Sequence, residues 1–388
     1  MQQQPSADDE GVVRITAHRR ANRIVRTTVA MPGAAARSRL LIGLDPAAAI
    51  DTLAAVHATH SPRAHALALG QACAAAMGDA PPDHATLVAI ERELAAEAAD
   101  THLRRLLIEW PQALGHDARH SRYNEFHRRL RTKTDAASFF ELGGDVLDLV
   151  AREMLAGFFN RIRMPHNLAE FIERADTGSI LGAVLRDMIE LGPSQPSAGR
   201  GVAILGTQTA AAWVATIGPW PSDEFVAHPT FAGEPAETGP LARHAASPLV
   251  RLLLDRGHRL SARLFSKIID LADCASRMRY PLTDEVPPLL DAAAAGPGVG
   301  MARASTARGV LLCWVRMEAG RIADCRIVPA AAWNFHPEGA FCREACSSID
   351  ESPEAAMRRL SLLALALDPS LPYRIELVED TGKGRKRA

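Results

Sequence analysis

The sequence lacks a hydrophobic run long enough to cross a membrane. Its longest apolar stretches, such as residues 360–367, are far shorter than the roughly 20 residues that a spanning helix needs. Residues 1–11 contain no basic segment followed by an apolar one, which a secretory signal would have. We therefore expect a cytoplasmic protein without a membrane span, in which residues 1–11 form a flexible start.

The sequence also lacks an excess of either charge. Lys and Arg number 44, Asp and Glu number 45, and the formal net charge is -1. Aromatic residues make up only 5% of the chain and are not interleaved with basic residues, as a platform for stacking bases would require. We therefore expect no nucleic-acid partner.

Cysteine is scarce, and the six cysteines form no C-x-x-C pair. This favours reduced thiols over a disulfide framework. Cys342 and Cys346 are four residues apart, so a helix would place both thiols on one face, where they could act as two ligands. The alternative is that they are buried and inert. Three further cysteines in apolar periodic segments are predicted to be core residues: Cys73, Cys274 and Cys325.

The hydrophobic content of 47% is enough for a large core, and the pattern of apolar residues is mainly helical. Apolar positions three and four apart predict helices over residues 46–56, 63–77, 84–110, 144–159, 180–191, 249–255 and 260–274. Ser352 as N-cap and Pro353 in the first turn predict a last helix that ends near Asp368.

Short β-prone segments lie near both ends of the chain. Residues 12–15 and 22–30 predict one hairpin, and residues 308–315 and 321–328 predict another. Glycine and proline clusters at 192–200 and 296–300 predict interruptions. We therefore expect an α+β fold that is predominantly α, with small β hairpins near both ends. Residues 12–380 are predicted to form one domain and 381–388 a flexible basic tail.

Four segments, in the same order along the chain, resemble the signature regions of nickel–iron hydrogenase large subunits. R-I-T-A-H at 14–18 resembles R-I-E-G-H. G-L-D-P at 43–46, followed by H-A-T-H at 57–60 and A-H-A-L-A at 64–68, resembles G-R-D-P, C-G-x-C and H-A-L-A. R-G-V-L at 308–311, Pro329 and W-N-F-H-P at 333–337 resemble R-G-x-L-x-H, V-P-[ST] and W-N-x-x-P. D-P-S-L-P-Y-R-I-E at 368–376 resembles D-P-C-x-x-C-x-x-H.

The resemblance implies a large-subunit-like helical body without the metal centre of that family. The positions of the four thiolate ligands of nickel hold His57, His60, Ser370 and Tyr373. Thiolates suit such a centre, whereas imidazole, hydroxyl and phenol differ in softness and in bridging ability. Thr16 also replaces the family's acidic proton acceptor. We therefore expect no nickel and no enzymatic activity.

Part of the pocket for the diatomic iron ligands is retained. Arg308 matches the arginine that lies over the cyanide ligands, and the matched pocket positions are Leu311, Val328 and Pro329. Ala330 replaces the Ser or Thr that would donate a hydrogen bond to cyanide. Three cysteines are further candidates for cofactor binding: Cys313, which replaces the motif's histidine, Cys342 and Cys346. For Arg308 the alternative is an ordinary surface salt bridge, which contributes about 0–1 kcal/mol.

Three histidines in the pattern H-x-x-H-x4-H could bind a metal ion: His57, His60 and His65. The alternative is a solvated loop. We expect this segment, the Arg308 strand, the Pro329 turn and residues 368–376 to converge on one cavity, as the family resemblance implies.

A chain that lacks the nickel ligands but retains an iron-ligand pocket resembles the HupK/HoxV-type hydrogenase expression/formation proteins. The resemblance implies a non-catalytic scaffold or carrier that transiently binds iron with cyanide and carbonyl ligands. Its implied partners are a hydrogenase maturation chaperone and the precursor large subunit. Two alternatives are an interaction chaperone that holds no metal and a degenerate metalloenzyme that uses the histidine cluster.

Overall fold

The structure, a computed structural model, describes residues 11–32, 38–57, 61–132, 135–158, 163–175, 178–194, 201–283, 286–347 and 349–380. The helices are α1 (Pro46–Val56), α2 (Pro62–Met77), α3 (His84–Arg104), α4 (Trp110–Ala113), α5 (His120–Arg131), α6 (Ala136–Asp148), α7 (Leu168–Ala175), α8 (Gly182–Glu190), α9 (Ala210–Ile217), α10 (Asp223–Ala227), α11 (Pro240–His244), α12 (Pro248–Asp255), α13 (Arg259–Arg279), α14 (Ala330–Asn334), α15 (Ala340–Ala345) and α16 (Pro353–Leu367). Short π-helical turns at Arg105–Glu109 and Leu149–Met154 extend α3 and α6.

The strands form three small sheets. They are β1 (Val13–Arg20), β2 (Arg23–Ala30), β3 (Ala203–Ile204), β4 (Ala236–Glu237), β5 (Leu290–Gly296), β6 (Val299–Thr306), β7 (Gly309–Glu318), β8 (Arg321–Val328) and β9 (Tyr373–Glu379). In the largest sheet, β5-β6-β7-β8, all neighbouring strands are antiparallel. The second has the order β2-β1-β9, and β9 lies parallel to β1. The two ends of the described chain therefore meet in one sheet.

Helix α13 lies at the centre of the helical body. It packs against α3, α6, α11 and α12, and most of its residues are buried on all sides. Because a helix that is buried all round must also bury its polar positions, α13 carries three charged side chains into the interior: Arg263, Lys267 and Asp270. This single helix therefore supplies charge to two buried clusters.

Helix α2 packs directly on β6 and β7. The helix comes so close that a Cβ on Gly300 would overlap the carbonyl oxygen of Ala72. On the other face of the sheet a smaller core cluster contains Trp213, Trp314 and Trp333. The sheet therefore separates α2 from this tryptophan-rich layer.

The predicted fold class is confirmed: helices predominate, and the sheets are small. Both predicted hairpins are present, with bounds of 13–20 and 23–30 and of 309–318 and 321–328. Within the described ranges, no helix is both long enough and apolar enough to span a bilayer. Gly11 apart, the predicted flexible start and the basic tail lie outside those ranges.

The structure adds local detail that the sequence analysis did not predict. The predicted interruption at residues 296–300 is the turn between β5 and β6. Alanine-rich β5 has a composition typical of a helix, and pairing with β6 overrides that preference. Helix α5 and strand β9 were not predicted, although residues of β9 alternate between half-buried and exposed as a strand requires.

Candidate functional site

Asp368 is the centre of a buried cluster of charges. It follows α16 with a left-handed backbone (φ 53°) and is 1% exposed. Its carboxylate accepts hydrogen bonds from Arg308 Nε at 2.9 Å and from Arg105 Nη2 and Nε at 2.7 and 3.0 Å. Burial opposes ionisation of this carboxyl, but the guanidinium groups of Arg105 and Arg308 and the ammonium of Lys267 hold its pKa well below the usual value. Asp368 is therefore a fixed anion inside the protein.

Arg308 is 8% exposed and lies immediately before β7. Its Nη1 donates to Ser61 Oγ at 3.3 Å, and its Nε is held by Asp368. The next residue, Gly309, has a φ of 136° and lies so close to Thr238 that a Cβ would overlap that side chain. The R-G pair of the motif thus has a physical reason, because only glycine permits the backbone that places Arg308 here.

Ser61 joins this cluster to the start of α2. It adopts a left-handed φ of 59° as the residue before the helix. The carboxylate of the half-buried Glu97 accepts hydrogen bonds from the backbone N–H groups of Arg63 and Ala64, at 2.8 and 3.1 Å. A negative charge at a helix N-terminus is favourable because it satisfies unpaired N–H groups there. Beside Ser61 and Glu97 lies a cavity of about 70 Å³.

The structure therefore brings together three of the predicted segments. The start of α2, the Arg308 strand and the end of α16 meet through direct hydrogen bonds from Arg308 to Ser61 and to Asp368. The Pro329 turn lies elsewhere, on a separate cleft of about 550 Å³ that Met31, Val226 and Phe335 also line.

The two histidines of the predicted metal site that lie within the described ranges are stacked. The ring centroids of His57 and His65 are 3.7 Å apart with an interplanar angle of 11°, and His65 Nδ1 is 2.8 Å from the carbonyl oxygen of Ser61. A metal ion lies in the plane of each imidazole that binds it, so two parallel planes require one ring to turn before both could bind one ion. His60 lies outside the described residues. A site formed by the three histidines remains a prediction.

The matched pocket positions do not share one side of the sheet. Val328 pairs with Leu312 and belongs to the tryptophan-rich cluster, whereas Leu311 belongs to the large core on the opposite face. Adjacent residues of a strand point to opposite faces, so Leu311 and Val328 cannot line one pocket from the same face. A role for either residue in binding an iron unit remains a prediction.

The candidate cysteines lie in two separate places, and Cys313 and Cys342 are buried whereas Cys346 is half-buried. Cys313 contacts Cys325 across β7 and β8, and this hydrogen bond together with burial raises its pKa well above the usual value. Cys342 lies in α15, where burial raises its pKa to about 12. Cys346 Sγ is 3.6 Å from Thr27 Oγ1 of β2. Protonated thiols are poor ligands, so the structure favours a packing role for Cys313 and Cys342.

A second buried carboxylate, Asp270, was missed in the sequence. It accepts hydrogen bonds from four nitrogen atoms: His102 Nε2 (2.7 Å), Arg243 Nε (2.7 Å) and Nη2 (2.6 Å), and His244 Nε2 (2.8 Å). His102, Asp270 and Cys274 have ligand atoms within 4.8 Å of one another. A metal ion would have to displace a bidentate guanidinium from Asp270, so this cluster has the features of a structural ion-pair network.

Comparison with known proteins finds relatives among the hydrogenase expression/formation proteins. No established family profile matches the chain. The hydrogenase expression/formation protein HupK of Rhizobium leguminosarum bv. viciae is 29% identical over 292 residues, which cover 74% of this chain and 75% of that protein. The chain is a relative of the HupK/HoxV-type hydrogenase expression/formation proteins. HupK of Azotobacter vinelandii is 31% identical over 150 residues, and HoxV of Cupriavidus necator is 27% identical over 166 residues; these matches cover 40% and 42% of those proteins.

Solved structures place this HupK/HoxV-like chain in the fold of nickel–iron hydrogenase large subunits. The Ni-Fe-Se hydrogenase of D. vulgaris Hildenborough matches with a TM-score of 0.58 at 16% identity, over 90% of this chain and 93% of that chain. The NAD+-reducing [NiFe]-hydrogenase matches with a TM-score of 0.54 at 11% identity. At such identities the likeness establishes the fold. The predicted resemblance is therefore confirmed.

Residues that complete the Arg308 cluster were not identified from the sequence. Arg105 and Lys267 lie in helices without a distinguishing motif, and Asp368 stood out only as part of the D-P pair after the last helix. The signal that could have found Lys267 is its position in an otherwise apolar helical period, because a buried lysine requires a specific environment.

Proposed function

We propose that this chain is a non-catalytic accessory protein of hydrogenase formation that transiently holds an iron–cyanide–carbonyl unit beside Arg308. The named relatives are hydrogenase expression/formation proteins, which supports an accessory role. The observation that carries the finer proposal is the buried guanidinium of Arg308, fixed by Asp368 and Ser61 at the point where α2, β7 and α16 meet.

A guanidinium held in this way suits an anionic ligand. Its charge is permanent, its donors have fixed directions, and water is largely excluded around it. Nε and Nη1 already donate to Asp368 and Ser61, and Nη2 makes no hydrogen bond to any residue in the described ranges. Nη2 is therefore the donor that would contact a cyanide nitrogen of the cargo.

The residues at the family's thiolate positions explain why the cargo would be held without turnover. His57, Ser370 and Tyr373 stand at three of these positions and His60 at the fourth. None can bridge nickel and iron as a thiolate does. The chain would therefore bind the iron fragment, add no nickel, and pass the fragment to a precursor large subunit with the help of a maturation chaperone in the cytoplasm.

Infrared spectroscopy tests this proposal. The chain, purified from cells that also produce the maturation proteins, should show absorption bands of metal-bound cyanide and carbon monoxide. Arg308→Ala should lose the bands, and Arg251→Ala, which removes an exposed arginine of α12, should retain them. A wild-type spectrum without such bands, although the chaperone co-purifies, would overturn the proposal.

A second candidate is an interaction chaperone that holds no metal. It is favoured by the small space near Arg308, because the cavity that Arg308 lines measures about 10 Å³ and the one beside Ser61 about 70 Å³, whereas small-molecule sites commonly span roughly 300–1,000 Å³. Pull-down of a hydrogenase subunit that is unchanged by Arg308→Ala, Cys342→Ala and Cys346→Ala would support this function. A metalloenzyme that uses the histidines would instead lose bound metal in His57→Ala and His60→Ala.

A further inference from the structure

A cavity smaller than the one beside Ser61 is lined by Arg308. It measures about 10 Å³, which is the size of one water molecule or one small ion. Its polar lining residues are Glu237, Thr238, Arg263, Lys267, Arg308 and Asn334. The side-chain amide of Asn334 is already engaged, since its Oδ1 accepts from Thr238 N–H and its Nδ2 donates to the Leu367 carbonyl.

Two buried cations of α13 have donors directed at no protein acceptor. Arg263 and Lys267 are each 2% exposed and lie one helical turn apart. Arg263 Nη1 is buried and has no hydrogen-bond partner within the described part of the chain. In the same part of the chain, no carboxylate oxygen lies within 4.0 Å of Lys267 Nζ. Buried donors of this kind are rare in native proteins and indicate an unseen partner.

The carboxylates near the cavity are already shared. Glu237 accepts from Arg263 at 2.7 and 2.9 Å and from Arg259 at 2.9 Å. Glu344 also pairs with Arg263, at 2.7 Å. Asp368 is shared by Arg105 and Arg308, and Arg105 contacts the half-buried Glu109 as well. Glu97 acts on Arg308 and Asp270 acts on Lys267 at longer range. Each arginine named above has a carboxylate partner, whereas Lys267 has none within 4.0 Å in the described part of the chain.

We propose that this cavity is a binding site for one small monovalent anion, of the halide class, held by Arg263 and Lys267 beside Arg308. One such ion gives Lys267 a direct counter-ion and provides an acceptor for Arg263 Nη1. A water molecule would also fill the space, but it would leave the buried Lys267 ammonium without an anion in direct contact. The site does not require that the chain carry an iron unit.

The affinity of the cavity for an anion should depend on pH through the ionisation of Lys267, which is set by the groups around it. Burial lowers the pKa of Lys267 to about 8; Asp368 and Asp270 oppose this shift, while Arg105 and Arg308 reinforce it. Arg263 and Glu237 also line the cavity, and His102 lies close enough to interact. An anion favours the protonated amine, so its apparent affinity should fall about tenfold for each pH unit above 8.

Bromide is a suitable probe because it scatters anomalously. Crystals of the full chain grown or soaked in sodium bromide should show an anomalous peak inside the cavity. In solution, bromide should raise the Tm relative to sodium gluconate at equal ionic strength, because gluconate is too large to enter. The rise should diminish between pH 8 and pH 10.

Lys267→Met is the decisive variant, since it keeps the length of the side chain and removes the charge. It should lose both the peak and the bromide-specific rise in Tm, whereas Arg251→Met, which removes an exposed charge on α12, should keep both. Should Lys267→Met not fold, the wild-type crystal decides alone. Water without bromide in the cavity, a crystal peak without a solution effect, or equal binding by Lys267→Met would each overturn the proposal.

Discussion

Asp270 and Asp368 are two buried carboxylates, each bound by an arginine, and they differ in the groups that surround them. Each is at most 2% exposed and accepts a pair of hydrogen bonds from an arginine. Asp270 accepts hydrogen bonds from Arg243, His102 and His244, so both of its oxygen atoms are engaged. His102 Nδ1 is buried and has no hydrogen-bond partner in the described part of the chain. Asp368 lies among Arg105, Arg308 and Lys267, beside a cavity and an arginine with an unmatched donor. Arg243 and two imidazoles contact Asp270 directly, whereas Lys267 near Asp368 has no carboxylate within 4.0 Å in the described part of the chain, and this leaves a place for a ligand.

The largest effect should come from breaking the Asp270 network. Asp270→Asn leaves Arg243 buried without its counter-charge, and loss of one partner of a buried ion pair costs about 3–5 kcal/mol. Urea unfolding should show a loss of this size, with no recovery in bromide. A loss under 1 kcal/mol would mean that the Asp270 network adds little to stability.

Asp368→Asn should cost about the same in gluconate, because Arg105 and Arg308 lose their shared anion. Unlike Asp270→Asn, it should recover part of the loss in bromide, since an anion can enter beside these cations. The free energy of unfolding in the two salts measures this difference. Equal behaviour of the two variants would remove the contrast between the two clusters.

Acid should weaken both clusters. Both carboxyl groups are buried, which opposes ionisation. Arg243 nevertheless holds the pKa of Asp270 well below the usual value, and Arg105 and Arg308 do the same for the pKa of Asp368. A lowered pKa contributes stability that is present above about pH 4 and is lost as the pH falls towards the folded-state value. We therefore expect the free energy of unfolding, measured in urea at pH 4, 3 and 2, to fall less steeply with decreasing pH for Asp368→Asn than for the wild type. Identical slopes would contradict ionised Asp368 in the folded protein.

The fold could be predicted from the sequence to a greater extent than the cluster of charges around Arg308. The fold was accessible because four motif segments occur in the family's order, and because α1 and both hairpins follow simple apolar patterns. Arg308 stood out through its motif. Arg105 and Lys267 did not, because they lie 263 and 101 positions from Asp368 and no local pattern encodes interactions over such separations.

A smaller effect is expected from Arg308→Lys. Lysine keeps the charge but cannot contact Asp368 and Ser61 with a planar group, so we expect a loss of about 1–3 kcal/mol. The variant should bind bromide more weakly than the wild type. Full stability together with unchanged bromide affinity would show that the guanidinium geometry is unimportant.

The smallest effect should follow Ser61→Ala. The hydrogen bond from Arg308 Nη1 to Ser61 Oγ is long, 3.3 Å, and a typical hydrogen bond contributes about 0.5–1.5 kcal/mol. Thermal unfolding should show a change at the lower end of this range. A loss above 3 kcal/mol would indicate that Ser61 fixes the start of α2 through more than this contact.

The most direct test of the central claim compares infrared spectra of the wild type, Arg308→Ala and Arg251→Ala, each isolated from a strain with an active hydrogenase-assembly system. We predict cyanide and carbonyl signals in the first and third samples and none in the second. Signals of equal strength in all three samples would place the iron fragment away from Arg308. Silence in every sample would show that the chain holds no such fragment.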